Sequence, residues 1–196
     1  MELKESLKPY CEAVEKGIQS ENWILTIMTA LTLPDICNSL EGKKGRNIYV
    51  DWFNRYVTEY SVTLHSSKAL KMAKTLEEAE EAFRTPSSFD DIIEEKHEYL
   101  SGVNVYALRC AFLHNGDGEI GSQKVSINNS EFTLGINKVK FDSKITNRVI
   151  MQYEEIVYIN PKVFCEAILE GVEEWINQKQ KKRYILNNSK KLQIFE

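Results

Sequence analysis

The sequence is short of what punctuates or cross-links a chain. Four Pro and nine Gly in 196 residues exclude a collagenous, loop-rich or low-complexity protein. The four Cys (Cys11, Cys37, Cys110 and Cys165) lie scattered inside apolar runs with no CxxC pair. That excludes a disulfide framework and a thiolate zinc site, and it points to free thiols in a reducing compartment. There is no excess of positive charge either. The net charge is −4, whereas a general nucleic-acid binder is basic. No apolar run is long: residues 23–33 cover about half of the ~20 residues that a membrane span needs. The charged start Met1-Glu-Leu-Lys-Glu5 lacks the apolar core of a secretory signal. The expected location is the cytoplasm, with no membrane partner, no metal and no cofactor.

What is present is core material. Apolar residues make up 42%, with three Trp, nine Tyr and eight Phe, enough for one domain over residues 1–196. Helical spacing dominates. Leu3, Leu7, Tyr10, Cys11, Val14 and Ile18 predict an amphipathic helix whose start lies near Pro9. Ser20 reads as the cap of a second helix. That helix is expected to stop before Pro34, with a short helix over 35–40 ending at Gly42. Tyr49, Trp52, Phe53, Tyr56 and Val57 mark one face of a helix over 48–60. Further helices are expected over 68–83 and from about Asp90. From Leu100 to Leu113 apolar residues cover nearly every direction, the pattern of a central helix, and Asn115-Gly116 stops it.

The next forty residues change character. Short β-branched and aromatic runs at 124–127, 132–136, 148–153 and 156–159 predict a small antiparallel sheet. Asn160-Pro161 then supplies a cap and a first-turn proline, opening a helix with Val163, Phe164, Ala167, Ile168, Val172, Trp175 and Ile176 on one stripe. The fold class is therefore mainly α: a helical bundle with a β insertion over about 122–159 before the last helix, and a basic tail over about 181–196.

The candidate chemistry sits on the central helix, at Arg109 and His114. Five positions rotate ~500° and rise ~7.5 Å, so the two side chains point roughly 140° apart. They do not share a face. His114 lies in the last turn beside Asn115-Gly116, where fraying would let its ring swing back, and the arginine side chain is long. A guanidinium and an imidazole converging on one spot suit a phosphodiester: Arg for bidentate contact with phosphate oxygens, His for proton transfer near neutral pH. The competing reading pairs Arg109 with a carboxylate of a neighbouring element, Asp35 or Asp51, and makes His114 a cation at a helix C-terminus.

Other groups are weaker. Glu94-x-x-His97 has the spacing of half a carboxylate-bridged di-metal site, but no second Glu-x-x-His follows. Gly42-Lys-Lys-Gly-Arg46 lacks the Walker spacing; it reads as a solvated loop in which Lys43, Lys44 and Arg46 are the candidate phosphate contacts. Lys179 to Lys191 carries six bases and no acid, either a solvated helix end or an electrostatic arm.

The run Leu108-Arg109-Cys-Ala-Phe-Leu-His114-Asn-Gly116 resembles the Arg-x(4–6)-His motif of the HEPN superfamily. Leu31-Thr-Leu-Pro-Asp-Ile-Cys37, Trp52-Phe53 and Tyr99-Leu-Ser-Gly102 resemble a group of uncharacterised bacterial proteins of the same layout. The resemblance implies a HEPN-like helical bundle and a metal-independent endoribonuclease that leaves a 2′,3′-cyclic phosphate. It also implies a homodimer in which two copies of the motif meet, RNA as substrate, and a toxin or phage-defence setting with an antitoxin or defence-system partner. In that reading Arg109 and His114 are catalytic, and Asn115 orients the ring or contacts substrate. Cys110 stands where active members usually carry Asn, His or Asp. The alternative is a non-enzymatic helical binding or scaffold module with Arg109 in a structural ion pair.

Overall fold

In the computed structural model the described residues are 3–57, 64–67, 92–95, 100–121, 126–127, 130–131, 136–144, 151–153 and 155–180. They form five helices: α1 (Leu3–Gln19), α2 (Trp23–Leu40), α3 (Arg46–Tyr56), α4 (Gly102–Asn115) and α5 (Pro161–Gln180). Helix α2 packs against α1, α3, α4 and α5, and α3 lies between α4 and α5. One apolar cluster joins them, with Leu31, Leu33, Tyr49, Phe53, Leu108, Phe164 and Trp175 fully buried.

Two prolines lie inside helices rather than at their ends. Pro9 sits in the seventh position of α1. A proline there removes the hydrogen bond to the carbonyl of Glu5, a residue at the exposed start of the helix. Helix α2 runs through Pro34 to Leu40, where a break and a separate short helix were expected. The gain comes from residues 37–40, which bury Cys37, Asn38 and Leu40. Pro34 leaves the Ala30 carbonyl without its helical donor, and the neighbouring Leu31 carbonyl is tied to α3, where the buried Tyr49 hydroxyl donates to it at 2.9 Å. Ser20 does not cap α2. Its hydroxyl donates to the Gly17 carbonyl at 3.3 Å, closing α1, and Asn22 holds the cap position. Among the described residues α2 is the helix long and apolar enough to cross a membrane, with mean hydropathy 1.2, yet half of that stretch is buried inside the protein.

Helix α4 follows the predicted pattern. The Ser101 hydroxyl accepts from the Asn104 amide at 3.4 Å, and Gly116 ends the helix in the left-handed region at φ 75°, which favours glycine. Its start presses on α3: the Gly102 amide donates to Asn54 Oδ1 at 2.6 Å. A Cβ on Gly102 would lie 2.5 Å from the Val50 carbonyl oxygen. Only glycine allows that approach. Helix α5 also begins as its sequence predicts, with Asn160 Oδ1 accepting from the Lys162 and Val163 amides at 2.9 and 3.2 Å.

The strands differ from expectation. Residues Ile92–Glu95 form β2, antiparallel to β1 (Leu64–Ser67), where a helix was expected; two consecutive isoleucines favour an extended backbone when a partner strand is at hand. Glu94 thus lies on a strand, and His97 lies outside the described residues. Strands β3 (Ser126–Ile127) and β4 (Ser130–Glu131) form a short antiparallel pair. The larger sheet is mixed, with order β5-β7-β6. Strand β6 (Met151–Tyr153) turns directly into β7 (Ile156–Ile159) and is antiparallel to it, but β5 (Lys138–Phe141) pairs with β7 in parallel. The small sheet is thus not purely antiparallel. Only two residues separate β6 from β7, a spacing that suits antiparallel neighbours, whereas β5 lies far enough from β7 in sequence for either direction. The sheet covers one end of the bundle: the Phe141 ring lies 5.6 Å from Phe112 of α4 and 5.4 Å from Phe164 of α5. The expected helix over 68–83 and the basic tail lie outside the described residues.

Candidate functional site around Arg109

Helix α4 is buried on most sides and leaves a narrower half-exposed seam of Val103, Tyr106, Arg109, Cys110 and Leu113. Tyr106 and Arg109, three apart, are neighbours on that seam. The Arg109 guanidinium lies 5.8 Å from the Tyr49 ring centre and 5.7 Å from that of Tyr106, while its Nε meets Asp35 Oδ2 at 2.6 Å. The two rings themselves stack edge to face at 5.4 Å. Asp35, not Asp51, is the carboxylate partner, and it reaches Arg109 because α2 continues past Pro34.

The contacting atoms of the ion pair are shielded from solvent, yet 23% of the Arg109 side chain and 36% of Asp35 remain exposed. Burial pushes the Asp35 carboxyl above its ordinary range, and the guanidinium pulls the other way without fully offsetting it. Arg109 also feels burial, but the Asp35 carboxylate holds it firmly charged. Burial pushes the Tyr49 phenol far up, so it stays neutral and serves as a donor.

Arg46, at the first position of α3, joins this group. Its guanidinium lies 5.5 Å from the same Tyr106 ring. Two cations thus flank one half-exposed aromatic ring, an arrangement suited to phosphate and base together. The other loop residues go elsewhere. Lys43 pairs with Glu41 at 2.7 Å, and Lys44 is exposed.

His114 and Asn115 are exposed at the end of α4. No fraying brings the imidazole back. The Gly116 amide closes onto the Ala111 and Phe112 carbonyls, both at 3.1 Å, and the Ile120 amide ties the following chain to Asn137 at 2.8 Å. Among the described residues no hydrogen bond or ion pair links His114 to Arg109. One chain therefore brings Arg109, Arg46, Tyr106 and Asp35 together and leaves His114 on its own.

Sequence reasoning missed Tyr106 and the ring of Tyr49. The signal for Tyr106 was available, since it lies one turn before Arg109. The thiols carry no evident chemistry: burial, with Glu15 nearby, pushes Cys11 up to about 11, and burial with Glu166 nearby pushes Cys165 up to about 12. Among the described residues no three His, Cys, Asp or Glu side chains are grouped to hold a metal ion. No family model, curated protein or solved structure matches this chain.

Proposed function

We propose that the chain is a metal-independent endoribonuclease of HEPN type, acting as a homodimer in a toxin or phage-defence setting. The observation that supports this reading is the half-exposed Arg109, fixed by Asp35 and sharing Tyr106 with Arg46, on the helix whose end carries an exposed His114. Arg109 and Arg46 contact phosphate oxygens, and Tyr106 stacks on a base. Because Arg109 and His114 diverge in one chain, His114 of a second copy completes the site.

The reaction needs only proton transfers and charge stabilisation. A base removes the ribose 2′-hydroxyl proton, the 2′-oxygen forms a bond to phosphorus, and the bond to the 5′-oxygen breaks. The leaving oxygen takes up a proton. The products are a 2′,3′-cyclic phosphate and a 5′-hydroxyl. His114 acts as the base or the acid, and Arg109 stabilises the charged phosphorane-like state.

RNA incubated with the wild type should yield cyclic-phosphate ends, and His114→Ala should lower the rate by about 10²–10⁴-fold. No cleavage by the wild type, or equal cleavage by the variant, would overturn the assignment. The second reading is a non-enzymatic helical binding or scaffold module. It is favoured by the Asp35–Arg109 ion pair, which links α2 to α4 whether or not RNA binds.

A further inference from the structure

A groove of about 660 Å³ runs between α1 and α5, two helices that take no part in the Arg109 cluster. Its floor is apolar, built from Leu7, Val172 and Ile176 with the half-exposed Leu169. Its rim is acidic. Glu5, Glu12 and Glu15 of α1 face Glu166, Glu170 and Glu173 of α5, against Lys4 and Lys8 in the lining and Lys16 and Lys162, which pair at 3.9 and 3.8 Å with Glu12 and Glu166. An apolar floor between carboxylate walls matches a segment that carries apolar and cationic side chains together.

The chain itself supplies such a segment. Residues 181–196 contain Lys181, Lys182, Arg183, Lys190 and Lys191 against the single acid Glu196, and they also carry Tyr184, Ile185, Leu186, Leu192, Ile194 and Phe195. This segment leaves α5 at the groove, because Asn177 and Gln180 both line it. Its sixteen residues reach about 24 Å as a helix and more when extended, against about 21 Å for the wall from Glu166 to Gln180. Length, composition and point of departure agree.

We propose that residues 181–196 turn back at the end of α5 and dock in the α1–α5 groove of their own chain, apolar side chains on the floor and cations on the glutamate rim. The contact is electrostatic at its edges, so it weakens as salt rises. It is independent of the ribonuclease assignment and of any RNA.

Carbodiimide coupling of the full chain, which joins a lysine to a carboxylate only when they touch, tests this directly. Peptide mapping at monomer mass should show Lys181, Lys182, Lys190 and Lys191 joined to glutamates of the groove. In Lys181/Lys182/Arg183→Glu the links from Lys190 and Lys191 to the groove should be lost. Adding Glu12/Glu15/Glu173→Lys should restore coupling between groove and segment with the charges exchanged. Links confined to covalent dimers would mean that a second copy supplies the segment, and links to residues 77–98 that the tail pairs elsewhere. Either result, or no restoration on charge exchange, overturns the proposal.

Discussion

Helix α2 carries two carboxylates that reach for cations, and they are solved in opposite ways. Glu41, just past the helix end, accepts from Trp175 Nε1 at 2.8 Å, Lys179 Nζ at 2.7 Å and Lys43 Nζ at 2.7 Å, with only 10% of its side chain exposed. Burial pushes its carboxyl up, but the three donors outweigh burial and hold it below the ordinary range. Asp35, six residues earlier, meets one guanidinium, and there burial wins. A saturated carboxylate fastens the C-terminal end of α2 to α5. An under-satisfied one holds a cation whose side chain is still open to solvent, which is what a ligand-binding arginine requires.

The sharpest way to break this contrast is to remove the cations. On the proposed function, Arg109→Ala should lower RNA cleavage by about 10²–10³-fold while costing less than about 1 kcal/mol of stability, read by cleavage assay and urea unfolding of the same preparation. A large stability loss with unchanged cleavage would move Arg109 into the structural class. Glu41→Ala should do the reverse, destabilising by about 1–3 kcal/mol because a buried indole N–H and a lysine lose their acceptor, and leaving cleavage per folded molecule unchanged.

Acid separates the two carboxylates by sign. Glu41, depressed in the folded state, contributes stability that is complete above the ordinary glutamate pKa of 4.5 and is lost as pH falls through the lower folded value. Asp35, raised in the folded state, contributes in the opposite direction: its share is complete below the ordinary value of 3.8 and is lost as pH rises through the raised one. Unfolding free energies measured from pH 6 to pH 3 should therefore fall less steeply in Glu41→Gln than in the wild type. They should fall more steeply in Asp35→Asn. The smallest effect belongs to Asp35→Asn at neutral pH, where stability should change by less than about 1 kcal/mol.

Much of this arrangement is legible in the sequence, for reasons that can be located. The apolar surround of Leu108 and Ala111 announces a central helix, Asn160-Pro161 announces the start of α5, and Asn115-Gly116 announces the end of α4. Each of these signals is local. The features that escape reading are set by partners far along the chain. Pro34 signals a helix end, and tertiary burial of Cys37 and Leu40 overrides it. Strand β5 (Lys138–Phe141) falls outside the runs the sequence marks, and its parallel pairing with β7 is set by a partner that lies far along the chain. At the site, Arg109 and His114 are identifiable as chemistry-bearing residues, and their divergence follows from helical geometry. The choice of Asp35 over Asp51, and the meeting of Arg46 with Tyr106, depend on how α2, α3 and α4 pack.

Tyr49 joins two parts of the molecule that would otherwise be separable. Its hydroxyl serves the Leu31 carbonyl near Pro34, and its ring lies beside the Arg109 guanidinium. The proline-interrupted turn and the seat of the arginine are thus thermodynamically coupled through one side chain. Tyr49→Phe and Pro34→Ala should be non-additive in a double-mutant cycle, since the phenol and the proline act on adjacent carbonyls of the same turn. Any change that moves this turn of α2 therefore moves Tyr49 and, with it, one constraint on where the guanidinium rests.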